Sequence, residues 1–401
     1  MNSKILGSIL IVAGTAIGGG MLAMPIISAG VGFSGITLLM ILIWLAMCYT
    51  AILLVEAYQY SDPDEGLNTV TYKYLGKVGS VITGLSMLTL MYALVSAYIA
   101  GGSDILRLNA KTILGITLSP QTAALLFTLL FGGIVTLGAR VVDICTKWIF
   151  IVKLVFLLLV ILVMIPFVKV DYLAQMPTER LLIFTSIPVI FTSFGFHIVV
   201  PSLVRYLNGN TKQLKIAFIG GSLLPLLVYI IWQISILGSI DPLAFNTILS
   251  ENTGLEGMLK AVESISDSKL INIPINVFTI AAILTSFLGV ALALYDYIRD
   301  LCKKTITLKK PIAISLITFI PPLIFALYYP DGFIIALGYA AVSVAITSLF
   351  LPVLIYIKAQ QAQGKHISFI RKLSFVAIFS LGILILVIQT CLSFGILPNL
   401  G

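Results

Sequence analysis

Eleven apolar runs, each about the length of a membrane crossing, occupy most of this chain. They lie at about 5–30, 33–58, 80–106, 121–139, 147–168, 181–207, 214–239, 272–297, 311–329, 332–357 and 370–396. A helix rising about 1.5 Å per residue needs about 20 apolar residues to cross about 30 Å of hydrocarbon. In lipid a spanning segment must satisfy its own backbone, so runs this long and continuous read as helices. Only 10% of the 401 residues are charged and 59% are hydrophobic. Water-soluble domains are about a quarter charged, so the solvent here is lipid. The expected fold class is an all-α polytopic membrane protein with no separate soluble domain. The longest polar connections are 59–79 and 240–271, the second carrying Asp241, Glu251, Glu256, Glu263 and Asp267 against Lys260 and Lys269.

The formal net charge of +8 fits basic loops on one membrane face better than nucleic-acid binding. Placing the N-terminus inside puts 18 of the 24 lysines and arginines on that face, Lys309 and Lys310 among them, and leaves six outside, Arg180 among them. That asymmetry predicts an N-terminus inside and, with eleven spans, a C-terminus outside. The start, "MNSKILGSILIVAGTAIGGG", has the lysine and apolar run of a signal peptide but continues into more apolar sequence with no polar cleavage region. It reads as a retained first span. Four cysteines far apart, no CxxC and two histidines give no disulfide framework and no metal site, and no cofactor is expected.

Within the first run, "GTAIGGGMLAMP" (Gly14–Pro25) concentrates four glycines and a proline where a membrane helix should be least interrupted. The run has 26 positions, about 39 Å as continuous helix, so a few residues can unwind and the segment still spans. Glycine gives up about 1 kcal/mol of helix preference per residue. Three consecutive glycines point all round a helix, which suits a single close helix contact poorly. An opened backbone is the better reading, and in lipid it is tolerated only where it lines a cavity or binds something. A second interruption, "IPVIFTSFGFHIVVP", falls in the sixth run, where Pro188 and Pro201 flank Thr192, Ser193, Gly195 and His197. First and sixth correspond if spans one to five and six to ten are inverted repeats (1–168 and 181–357) with an eleventh helix, 370–396, appended. Broken helices at matching places point to a transport site near the midplane.

Other classes fit less well. An intramembrane enzyme needs converging catalytic groups, and the chain offers no HExxH and one midspan histidine, His197. A channel needs a continuous polar path, which spans this apolar do not supply.

"GSILIVAGTAIGGGMLAMP", "IPVIFTSFGFH", "LGSID", "TSFLGVALALYDY" and "YPDGFIIALGYA" together resemble the hydroxy and aromatic amino acid permeases, especially the bacterial tyrosine permeases. The resemblance runs from Leu6 to near the C-terminus. It implies a LeuT-type fold of the amino acid–polyamine–organocation superfamily, and proton-coupled uptake of aromatic amino acids across the bacterial inner membrane. The partners implied are a small amino acid, protons and lipid.

Physical chemistry assigns the contacts such a substrate needs. A half-helix starting around Gly19–Met21 offers N–H groups and a positive dipole end to a carboxylate. Half-helices ending near Ala13–Ala16 and Ile190–Thr192 offer carbonyls to an ammonium. The candidate binding residues are Thr15, Ala16, Gly18, Gly19 and Gly20, with Phe191, Thr192 and Ser193. Aromatic candidates for the side-chain pocket are Phe194, Phe196 and Tyr92. For Tyr92, packing is an equal alternative. His197 either bonds a substrate phenol or caps a loose carbonyl of the break. Glu56 and Asp104, toward helix ends, read as solvated interface residues. Asp296 and Asp300 either pair with Lys4 as an inner gate or sit in a surface charge cluster.

Lys153 lies six residues past Lys147, about 9 Å into the fifth span by helical rise. Snorkelling to the interface is one reading. The resemblance implies another. Thr285 and Ser286 in "LTSFLGV" match the hydroxyl pair that binds sodium in sodium-coupled relatives of this fold. In proton-coupled relatives a fifth-helix lysine takes the sodium's place beside the first-helix break, and Lys153 matches that position.

Overall fold

A computed structural model describes residues 3–174, 181–252, 254–265, 269–305 and 311–398. Arg180, Asp267, Lys309 and Lys310, used above in the charge reading, lie outside the described residues. Within them every regular element is helical. The first run is two helices, α1 (Ser3–Ala16) and α2 (Gly19–Ser28), bent 52° against each other. Then come α3 (Phe33–Tyr58), α4 (Leu67–Leu114), α5 (Pro120–Thr136), α6 (Ala139–Met164) and a single turn, α7 (Val170–Leu173). The sixth run is α8 (Leu182–Ser193) and α9 (Val200–Tyr206), joined through a 3-10 turn at His197–Val199. The rest is α10 (Thr211–Leu237), α11 (Pro242–Glu251), α12 (Gly254–Glu263), α13 (Lys269–Thr305), α14 (Pro311–Tyr328), α15 (Phe333–Ala345), α16 (Leu351–Ala362) and α17 (Phe369–Ser393).

Among the described residues, nine helical segments are long and apolar enough to cross a membrane, and the bent pair α1–α2 makes a tenth. The remaining run forms α5, a shorter apolar helix of 17 residues, or about 26 Å. Both polar connections contain helices. In 59–79 the chain is already helical from Leu67 and turns at Gly76, whose φ of +69° suits glycine. In 240–271 it forms α11, capped by Asp241 accepting from the N–H groups of Leu243 and Ala244, and α12. Neither contains a 20-residue apolar run, so a search for crossings passes over both.

Lipid tails are as apolar as leucine, so helix association here rests on close packing and interhelical hydrogen bonds. α1 and α3 both pack along α10, α6 along α13, and α4 along α13 and α15. α2 is buried at every position from Gly19 to Ser28. Gln233 of α10 ties it from the side, with Nε2 donating to Ser28 Oγ. α12 lies across the same end of the bundle, packed on α2, α4, α13 and α15 with Leu255, Met258 and Leu259 buried. The bundle is therefore shut on the side where α2 ends.

Glu56 and Asp104 are not solvated interface residues, which corrects the sequence reading. Asp104 is 2% exposed, with Arg107 Nη1 3.9 Å from its carboxylate. Glu56 accepts from Lys215 at 2.5 Å and from Arg371 at 3.0 Å, joining α3, α10 and α17. Asp296 pairs with Arg299 one turn along its own helix, and Lys4 Nζ lies 5.8 Å from the centre of the Tyr206 ring.

Candidate functional site

The two breaks face one cavity of about 350 Å³. Its walls are the α1–α2 break, the end of α8, and one face each of α4, α6 and α13. Thr15 and Ile198 on its rim are exposed while all of α2 is buried. The cavity therefore opens toward the face of the bundle where α1 begins.

At the first break Gly18 is extended (φ −152°, ψ −150°) and the helical ladder stops. Side chains from three other helices take up the freed backbone groups. Lys153 Nζ of α6 donates to the Ile17 carbonyl at 2.9 Å. Tyr229 Oη of α10 donates toward the Ala16 carbonyl at 2.6 Å. The Gly19 N–H donates to Ser286 Oγ of α13 at 2.9 Å. The glycines also pack closely, which the sequence reading discounted. A Cβ on Gly18 would lie 2.7 Å from Ser286 Oγ, on Gly19 2.5 Å from the Tyr98 ring, and on Gly20 2.5 Å from Ser193 Oγ. Because three consecutive glycines point three ways, they admit three neighbours at once.

Lys153 does not snorkel. It is 2% exposed, 3.4 Å from Thr285 Oγ1, and its Nζ lies 4.6 Å from the centre of the Phe150 ring. Among the described residues no carboxylate lies within 4 Å of it. Its charged form is supported by a carbonyl, a hydroxyl and a ring face. Thr285 in turn donates to the Ala281 or Ala282 carbonyl, at 2.9 and 3.1 Å.

At the second break α8 ends at Ser193, and the Phe194 and Gly195 N–H groups turn back to the Phe191 and Thr192 carbonyls. Thr192 Oγ1 lies 3.0 Å from both the Pro188 and Leu337 carbonyls. The Ser193 carbonyl is 2.9 Å from Tyr229 Oη, so one phenol bridges the carbonyl ends of both broken helices.

Ten of the sequence candidates line this cavity: Thr15, Ala16, Gly18, Gly19, Gly20, Lys153, Thr192, Ser193, Thr285 and Ser286. Tyr92, Phe191, Phe194 and His197 do not, nor does Phe196. Tyr92 Oη donates to the Ile317 carbonyl at 2.8 Å. Phe194 packs edge-on against Tyr229, with centroids 5.3 Å apart. Phe196 stacks on His197 and Phe218. His197 Nε2 is 2.9 Å from Thr50 Oγ1 of α3, so its partner is neither a break carbonyl nor the cavity. Sequence reasoning missed Tyr98, which lines the cavity against Gly19, and Tyr229. A tyrosine in an apolar span carries no signal that separates these from packing residues.

The arrangement suits a small zwitterion. Backbone N–H groups start α2, carbonyls end α1 and α8, and an ammonium stands beside them. A sequence profile of the tryptophan/tyrosine permease family matches residues 1–390. Similar proteins include "Tyrosine-specific transport system 1" of Haemophilus influenzae, 40% identical over 400 residues and covering 99% of each chain. "Tyrosine-specific transport system 2" of the same organism is 38% identical over 88% of this chain and 87% of its own. "Glutamine transporter 2" of Aliivibrio fischeri is 32% identical over 92% of each. This polytopic chain, with its cavity between two broken helices, belongs to the tryptophan/tyrosine permease family.

Proposed function

We propose that this protein is a proton-coupled symporter that imports aromatic L-amino acids, L-tyrosine first, by alternating access. The observation that carries the reading is the cavity at the α1–α2 and α8–α9 breaks, with Lys153 bonded to the Ile17 carbonyl. The substrate carboxylate docks at the start of α2 near Gly19 and Gly20, and its ammonium at carbonyls of Ala16 and the end of α8. Its ring lies along the apolar wall of Leu94, Phe150 and Val290. The similarity to the two tyrosine-specific transport systems supports tyrosine.

Lys153 is the coupling residue in this account. As an ammonium it bonds the Ile17 carbonyl and Thr285, where a sodium ion would otherwise sit. Deprotonated, it releases the break. Access to the cavity from one face and then the other loads and unloads that proton. The fold we propose is LeuT-type, with eleven spans including α5, inverted repeats 1–168 and 181–357, and an added helix at 370–396. The protein lies in the bacterial inner membrane with its N-terminus in the cytoplasm and its C-terminus in the periplasm. The cavity then opens inward, the state from which substrate leaves.

The glutamine-named relative favours a second reading, a carrier of broader neutral amino acids. Uptake of labelled tyrosine into proteoliposomes, competed by unlabelled amino acids, separates the two. Tyrosine should compete best, phenylalanine and tryptophan more weakly. Stronger competition by glutamine, serine or leucine would overturn the aromatic reading.

A further inference from the structure

The stretch "TSFLGVALALYDY" supplies Thr285 and Ser286 to the first break and leaves Gly289 without a packing role. Gly289 sits midway along α13, between the buried Leu288 and Ala291. It is itself exposed, and it lines the transport cavity. Glycine is among the weakest helix formers, and inside a span it ordinarily stands where another group needs the room. That is so elsewhere in this bundle. A Cβ on Gly101 would lie 2.9 Å from the Phe333 ring, on Gly221 2.6 Å from Val12, and on Gly382 2.5 Å from the Phe350 ring. A Cβ on Gly289 would meet no described heavy atom within 4 Å beyond its own stretch of helix. No described neighbour requires this glycine, and the space it leaves belongs to the cavity.

Three helices fix where that space lies. Tyr98 of α4 stands against Gly19, Lys153 of α6 bonds the Ile17 carbonyl, and Ser286 of α13 accepts from the Gly19 N–H. All three meet at the first break. One turn nearer the open end, each helix presents its next cavity residue: Leu94, Phe150 and Gly289. Three or four residues of helix advance about 4.5–6 Å. An amino acid whose carboxylate docks at Gly19 and Gly20 therefore carries its side chain to the level of these three residues. Leu94 and Phe150 give that level two apolar walls, and Gly289 gives it room.

Resting on the transport reading above, we propose that Gly289 is the residue that sets substrate size. The room left by its missing side chain holds the aromatic ring, and a larger residue there turns the carrier toward small neutral amino acids. An aliphatic side chain at 289 would overlap the ring. It would leave untouched the backbone groups of the two breaks, which every amino acid uses.

Uptake kinetics in proteoliposomes test this, with radiolabelled tyrosine, leucine and alanine measured separately for the wild type, Gly289→Ala and Gly289→Leu. In Gly289→Leu the KM for tyrosine should rise about tenfold or more, as bulk in an apolar pocket does for a substrate it overlaps. The kcat/KM for alanine should hold or rise, and leucine should fall between the two. In Gly289→Ala the KM for tyrosine should rise about fourfold, the worth of one buried methylene. Its melting temperature should equal or exceed the wild type's, since alanine favours the helix and meets no neighbour. If Gly289→Leu fails to fold, Gly289→Ala decides alone. A glycine kept for packing or for helix movement would affect every substrate alike. Equal loss of uptake for all three amino acids, an unchanged KM for tyrosine in the folded variants, or a lowered melting temperature in Gly289→Ala would therefore overturn the assignment. The order of substrates in the wild type tests the aromatic reading, the size dependence of the change tests Gly289, and each can fail alone.

Discussion

The two broken helices solve one problem with opposite chemistry. The α1–α2 break is made of glycines, which have no side chains to anchor it. Its backbone is held from outside by Lys153, Tyr229 and Ser286, one each from α6, α10 and α13. The α8–α9 break is rich in rings, and beyond the Tyr229 contact at the Ser193 carbonyl it is anchored by its own side chains. Phe194, Phe196 and His197 point away from the cavity into Tyr229, Phe218 and Thr50, leaving Thr192, Ser193 and Gly195 on the cavity side. Side-chain size at a break decides whether neighbours must fix it. The break fixed by neighbours is the one that, in the function proposed above, loss of the Lys153 proton releases.

That contrast can be broken from the first side most severely. Gly19→Val puts a Cβ 2.5 Å from the ring of Tyr98, itself 6% exposed, in a segment with no room to yield. Overpacking of this kind costs about 1–3 kcal/mol in a packed core, while the added methyls fill the space assigned to substrate. Tyrosine uptake should fall to background with the size-exclusion profile retained. Near-normal uptake would show that the glycine break is not the binding element.

Tyr229→Phe acts on both breaks together. It leaves the Ala16 and Ser193 carbonyls without their shared donor, a loss of about 1–3 kcal/mol for buried groups. The KM for tyrosine should rise about tenfold, since about 1.4 kcal/mol corresponds to a factor of ten. An unchanged KM would mean the two helix ends keep their spacing without the phenol.

His197→Ala should have the smallest effect on transport. Thr50 Oγ1 still lies 3.0 and 3.1 Å from the Ala46 and Met47 carbonyls, so it keeps an acceptor. The lost ring stack and cavity should lower melting temperature in detergent, while KM stays within about twofold. A KM shift matching that of Tyr229→Phe would place His197 in substrate contact after all.

Much of the first break could be read from residues alone. Three glycines in an overlong apolar run announce an unwound segment, and a lysine two turns inside a span announces a charge that needs a partner. The second break was legible in place but not in direction. Phe194 and Phe196 adjoin the cavity in sequence, yet a tight turn at Phe194–Gly195 rotates both rings into the core. Tyr98 and Tyr229 were illegible because midspan tyrosines look alike until the neighbouring backbone is placed. α11 and α12 were missed for a related reason. They are short helices held by packing at one end of the bundle, without the long apolar pattern that marks a span.

The proposed coupling stands or falls on Lys153. Proteoliposomes carrying the wild type or Lys153→Ala, loaded to impose either a pH gradient or a sodium gradient at symmetrical pH, measure it directly. The wild type should accumulate tyrosine on the pH gradient with no sodium present. Lys153→Ala should lose that accumulation. Sodium-driven accumulation by the wild type at symmetrical pH, or full pH-driven accumulation by Lys153→Ala, would contradict proton coupling through this lysine.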